Sequence, residues 1–181
     1  GLLDQVKPLL QPSTDKALLH GGLIVLHEIV SWKGYDDDQL TQHIFSTFCP
    51  QLLHIAQAVL PTAADSDQTA FILKNVLKTV YKCVSYKYNE FVLGEQTCVP
   101  WITVITQTIQ LPISERLQAS TRDMEEEEKA ELPIFKAKKW ALHCQIRIFQ
   151  RHGCPDGSSF QPQTGPWSFS KFYMANLVQP V

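Results

Sequence analysis

Two apolar spacings recur along this chain, and between them they leave few folds open. Leu19, Leu23, Leu26 and Val30 lie at i, i+4, i+7 and i+11, one stripe of an α-helix. Leu73, Leu77, Val80 and Val84 repeat that spacing 54 positions later, and Val30-Ser31-Trp32-Lys33 lines up with Val84-Ser85-Tyr86-Lys87. Leu142, Ile146 and Phe149 read as a third, partial copy, which Gly153 can end. A second helix type lies between these. Phe48, Leu52, Ile55 and Val59 share one stripe, and Cys98, Ile102, Ile105 and Ile109 repeat it 50 positions on. Both copies carry a proline two residues after the first stripe position, Pro50 and Pro100, suited to a first turn or to a kink.

Leu2, Val6 and Leu9 read as the end of an earlier helix of the second type, and Val178 followed by Pro180 as the start of a later one. No segment alternates apolar and polar residues over a strand length. Two alternating helix types at a period of about 40–55 residues predict an all-α fold. The expected form is an α-solenoid of HEAT-type antiparallel helix pairs, about three repeats truncated at both ends. A helix between neighbouring repeats needs two apolar flanks, and Leu18, Val25, Ile29 and Trp32 flank the first stripe.

On this reading residues 1–181 form one solenoid segment. Residues 1–11 end a preceding repeat, 12–61 and 62–111 are the first two repeats, 112–135 an acidic loop and 136–181 an incomplete third repeat. The polar connections offer Ser13 or Thr14, then Asp65 or Ser66, as helix N-caps. Gly153–Pro166 is a second long connection, rich in Gly, Pro and Ser.

Charge adds a second layer. The formal net charge of −2 excludes a general polyanion binder, and direct nucleic-acid binding is not expected. That sum hides a separation. Asp123 to Glu131 holds six acids and one Lys, a net of −5, while residues 132–181 hold six bases against Asp156, a net of +5. The acids Asp123, Glu125, Glu126, Glu127, Glu128 and Glu131 and the bases Lys136, Lys138 and Lys139 are the candidate partner-binding residues. Four adjacent glutamates resist compaction, which reads either as a solvated, disordered loop or as electrostatic bait for a basic partner, and both can hold together. The loop is expected to screen the neighbouring basic face until a partner displaces it.

Catalytic and cofactor signals are weak, and neither an enzyme nor a cofactor is expected. His20-Gly21-Gly22 resembles an oxyanion segment, but no G-x-S-x-G supplies a nucleophile. Two small residues that let a neighbouring helix come close explain it better. His143, Cys144, His152 and Cys154 fit no zinc spacing. Five scattered cysteines without a C-x-x-C pair, sequon or signal peptide favour a reducing compartment. His20, His27 or Pro100 interrupts each of the longest apolar stretches, so no membrane insertion is expected. The start of the chain, without Met and inside an apolar pattern, suggests a piece of something longer.

One segment is distinctive. Glu131-Leu132-Pro133-Ile134-Phe135-Lys136-Ala137-Lys138-Lys139-Trp140-Ala141-Leu142-His143, ending in Arg147-Ile148-Phe149-Gln150-Arg151-His152-Gly153, resembles the importin-β (karyopherin-β) superfamily, specifically its importin seven/eight branch. There an acidic stretch leads into E-L-P, two aromatics, K-K-W-A-L-H and an R-x-F-x-R-x-G ending. This chain has Ile134-Phe135 where two tryptophans are usual, and His152 where an aromatic often precedes the glycine. The likeness weakens toward the N-terminus, through the Phe-Cys-Pro and Val-Pro-Trp helices and Tyr86–Tyr88. The resemblance implies a nuclear transport receptor of HEAT repeats, of which this would be an internal piece, roughly the fourth to sixth repeats. It implies three partners: the Ran GTPase, basic protein cargo such as ribosomal proteins or histones, and Phe-Gly nucleoporins. It also implies residence in cytoplasm and nucleus, including the pore. The alternative is another HEAT scaffold or adaptor, for example a phosphatase-type structural subunit or an assembly factor.

Overall fold

A computed structural model describes residues 1–33, 38–85 and 95–152. Among them there are eight α-helices and no strand. They are α1 (Leu2–Val6), α2 (Lys16–Lys33), α3 (Asp38–Val59), α4 (Asp67–Ser85), α5 (Glu95–Gln110), α6 (Glu115–Ser120), α7 (Glu126–Glu131) and α8 (Pro133–His152). The fold is an all-α, HEAT-like solenoid. Helices α2, α4 and α8 form one layer, with α4 packed between the other two. Helices α3 and α5 form the second layer, α3 against α4 and α5 against α8.

The stripes explain this packing. Leu19, Leu23, Leu26 and Val30 of α2 are buried, as are Leu73, Leu77, Val80 and Val84 of α4. In the second layer Phe48, Leu52, Ile55 and Val59 are buried in α3, and Cys98, Ile102 and Ile105 in α5, with Ile109 partly so. Burial of one such side chain contributes about 1.5–3 kcal/mol, so these four stripes hold the layers together. Pro50 and Pro100 both lie inside their helices. Each removes one backbone donor from the ladder and favours a bend there. Of the proposed caps Ser66 serves, its Oγ accepting from the Thr69 amide at 3.4 Å. Ahead of α2 the cap is Asp15 instead of Ser13 or Thr14; its Oδ1 accepts from the Ala17 and Leu18 amides at 2.9 and 3.3 Å.

The third stripe differs from expectation. Leu142, Ile146 and Phe149 are 44%, 52% and 40% exposed, whereas Ile134, Ala137, Ala141, Cys144 and Ile148 are buried. Small Ala and Cys side chains let α8 come close to α4, and the Cys144 thiol donates to the Leu77 carbonyl at 3.3 Å. The larger apolar residues face away. In the same way Leu18, Val25 and Trp32 on the outer flank of α2 are exposed, while Ile29 packs against the core. Tyr86–Tyr88, the Gly153 cap, Cys154, the 153–166 connection and the Val178–Pro180 start lie outside the described residues.

The glycine pair divides. A Cβ on Gly22 would meet Leu9 Cβ at 3.1 Å and Leu10 Cδ2 at 3.3 Å, whereas nothing lies within 4 Å of one on Gly21. Gly22 is therefore the site of close approach. Gly22→Ala is expected to destabilise the chain by about 1–3 kcal/mol through overpacking. Gly21→Ala is expected to stabilise it by up to about 1 kcal/mol through helix propensity. Denaturant midpoints of the two variants check the contrast, and equal shifts would contradict it.

Candidate partner-binding surface

The acidic stretch, which its charge pattern alone leaves open between a disordered and an ordered loop, forms a short helix. Its connection begins with α6, capped by Ser114, whose Oγ accepts from the Leu117 amide at 3.3 Å. The glutamates then open α7. Glu125 is its N-cap, and the Glu128 carboxylate accepts from the Glu125 amide at 3.3 Å in a capping box. Glu126, Glu127 and Glu128 occupy the first turn, where the unsatisfied amides and the helix dipole favour negative charge. Mutual repulsion is offset by that placement and by Lys129, which bonds Glu126 at 2.8 Å. The result is a short helix whose N-terminal turn holds Glu125, Glu126, Glu127 and Glu128, all exposed, with exposed Asp123 just ahead.

Glu131 ends α7 and pairs with Lys136 of α8. That hydrogen bond, with the charges of Lys136 and Lys139, holds its carboxyl below the ordinary range. Among the described residues it is the one acid of the run that pairs with α8. The three lysines separate in role. Lys136 anchors α7, and Lys139 is exposed. Lys138 turns inward: its ammonium donates to the Ile109 carbonyl at 2.9 Å and to the Leu111 carbonyl, closing the end of α5. Burial pushes its pKa down. The α8 bases continue to Arg147, which donates to Tyr81 Oη at 3.0 Å beside Trp140 and His143. The Arg151 side chain lies outside the described residues.

A second set of bases escaped the sequence reading, although its helical spacing was visible there. Lys74, Lys78 and Lys82 run along the outward ridge of α4. Across from them His27 of α2 is 9% exposed, with Nδ1 unpartnered and Nε2 3.5 Å from Ser31 Oγ. Burial and the nearby lysines, Lys78 above all, bring its pKa down from 6.5 to about 4. His27 is therefore neutral when folded and titrates near 6.5 when unfolded. Its contribution is complete above pH 6.5, falls as pH drops through the window to about 4, and levels off below. At about 1.4 kcal/mol per pKa unit, reduced for residual solvent access, the loss is on the order of 2 kcal/mol. His27→Gln is expected to flatten the dependence of unfolding free energy on pH between 4 and 6.5. An unchanged slope would contradict the assignment.

The chemistry this surface offers is reversible charge pairing. The four described cysteines, Cys49, Cys83, Cys98 and Cys144, are free and buried. A Cys83 contact and burial raise the Cys49 pKa, and burial raises those of Cys98 and Cys144, which suppresses thiolate nucleophiles. His143 packs on Tyr81 and Trp140 while Cys144 faces Leu77, so these neighbours do not converge. No group of three or more metal-ligating side chains occurs among the described residues. A shallow cleft of about 420 Å³ lies between α6 and the start of α4, lined by Asp65, Asp67, Ser114 and Arg116 among others. No described helix is long and apolar enough to cross a membrane.

The sequence is similar to known proteins along most of its length. The chain is 27% identical to human Importin-8 over 175 residues, covering 96% of this chain and 16% of that protein. It is 26% identical to mouse Importin-8 over 174 residues, with the same coverage. It is 31% identical over 145 residues to the Nonsense-mediated mRNA decay protein 5 of Saccharomyces cerevisiae, covering 76% of this chain and 14% of that protein. The chain thus spans about one sixth of the length of these relatives. No family profile and no solved structure matches it.

Proposed function

We propose that this chain, which is related to the importin-β superfamily, is a segment of a nuclear transport receptor that binds protein cargo without catalysis. The likeness to Importin-8 across 96% of the chain carries the reading, and the HEAT-like layers agree with it. In this proposal the receptor moves between cytoplasm and nucleus through nuclear pores, and the GTP-bound form of Ran controls cargo release. Phe-Gly nucleoporins are its contacts in the pore. The exposed glutamates of α7 receive a basic cargo of the ribosomal-protein or histone kind, and Asp123, Glu131, Lys136, Lys138 and Lys139 belong to the same partner-binding surface, Glu131 with Lys136 and Lys138 also holding the helices in place. The division into repeats at 12–61, 62–111 and 136–181 belongs to the same proposal.

Permeabilised cells test it. The intact protein with Ran and GTP is expected to concentrate a labelled basic cargo in nuclei, and GDP-locked Ran is expected to abolish this. Equal accumulation with and without the protein would overturn the reading. It would favour the other one, a HEAT scaffold or adaptor of the phosphatase-subunit or assembly-factor kind.

A further inference from the structure

Phe71, Lys74, Lys78 and Lys82 occupy i, i+3, i+7 and i+11 of α4 and share one outward stripe. The attachment points of the three lysines are about 6 Å apart along the helix axis. Like charges at this spacing oppose one another. Burial lowers the Lys74 pKa, and Lys78 and Lys136 lower it further, so these ammoniums share one field. From α2 this ridge meets His20, whose ring lies tilted against Phe71 with centroids 4.8 Å apart, and His27 with Glu28 beside it. From α8 come Lys136, already paired with Glu131, and Arg147. Among the described residues no carboxylate forms an ion pair with Lys74, Lys78 or Lys82.

Apolar surface accompanies the charge. Lys74 Nζ lies 4.2 Å from the Phe71 ring centre, and Arg147 lies 5.5 Å from that of Tyr81. Next to Tyr81 a recess of about 240 Å³ opens between α4 and α8, lined by Tyr81, His143, Ile146, Arg147 and Gln150. We propose that this face docks an acidic peptide segment of a protein partner, with carboxylates along Lys74, Lys78 and Lys82 and one aliphatic side chain in the recess beside Tyr81. Alternate side chains of an extended strand repeat every ~6.6–6.8 Å, close to the spacing of the lysines. A peptide fits better than a nucleic acid. The aligned cations are few, the whole chain is net negative, and the acidic α7 adjoins Lys136, where a longer phosphate backbone would be repelled.

This surface is separate from the α7 acids, so its test is independent of the transport reading. Fluorescence polarisation would follow the intact protein with a labelled Glu-Ser repeat peptide ending in Leu, with its Gln-Ser counterpart and with a single-stranded oligonucleotide. The Glu peptide is expected to bind, to weaken as salt rises, and to lose about tenfold in affinity in a Lys74→Glu/Lys78→Glu/Lys82→Glu variant. Lys16→Glu, on an exposed lysine of α2, is expected to leave binding unchanged. The triple variant is expected to keep its helical circular dichroism and melting point within a few degrees, because the three sites are partly exposed and the glutamate repulsion it introduces takes the place of the lysine repulsion it removes. Equal binding of the Gln peptide, no effect of the triple variant, or tighter binding of the oligonucleotide would each overturn the proposal.

Discussion

Leu77→Asp is expected to abolish cooperative unfolding of the chain near neutral pH. Leu77 is fully buried on α4, the helix packed between α2 and α8 and backed by α3. The substitution forfeits about 1.5–3 kcal/mol of leucine burial. It also buries a carboxylate in the core between the helices, at a further cost of several kcal/mol. A domain of ordinary stability has about 5–15 kcal/mol in total, so the sum is comparable with the whole. Urea titration followed by circular dichroism measures it. Leu142→Asp is the informative control, because the sequence pattern places Leu142 on the buried stripe and the structure leaves it 44% exposed. It is expected to change stability by no more than about 0.5 kcal/mol. If Leu142→Asp unfolded the chain as Leu77→Asp does, the packing of α8 described above would be wrong.

The second large effect is kinetic. Replacing Glu125, Glu126, Glu127 and Glu128 by glutamine is expected to slow association with a basic protein by on the order of tenfold. Affinity should also become less sensitive to salt, because the screened attraction is gone. A glutamine in place of Glu128 can still accept from the amide at position 125, since glutamine serves the same capping role. The capping bond is thereby kept while the charge is removed. Stopped-flow association at two salt concentrations reads the effect, with the melting curve as the folding control. Unchanged rates and salt dependence would remove α7 from the proposed cargo surface.

The residues themselves show what is legible before the structure. The stripes of α2, α3, α4 and α5 are legible because large apolar side chains at 3.6-residue spacing both dominate the pattern and fill the core. In α8 the same rule points the wrong way. Ala137, Ala141 and Cys144 carry little apolar signal, yet they sit where α4 comes closest, and the larger Leu142, Ile146 and Phe149 dominate the pattern in their place. The glutamate run leaves its own order open because counting charge ignores position, and at a helix N-terminus the dipole offsets repulsion. Ser66 is recognisable as a cap, but Asp15 is masked by its hydroxyl neighbours Ser13 and Thr14. The role of Lys138 has no local signal at all: the carbonyls it closes lie 29 and 27 residues earlier and meet it only through tertiary packing. The exposed flanks on α2 and α8 read as core for a related reason, since periodicity reports an apolar face but not what covers it.

The proposed receptor role turns on the nucleotide state of a GTPase, and that dependence would distinguish it from another helical scaffold. The most direct measurement is retention of the intact protein on immobilised Ran locked with GTP against Ran loaded with GDP. The account predicts strong retention on the GTP form and little on the GDP form. Equal retention on both, or none on either, would contradict it.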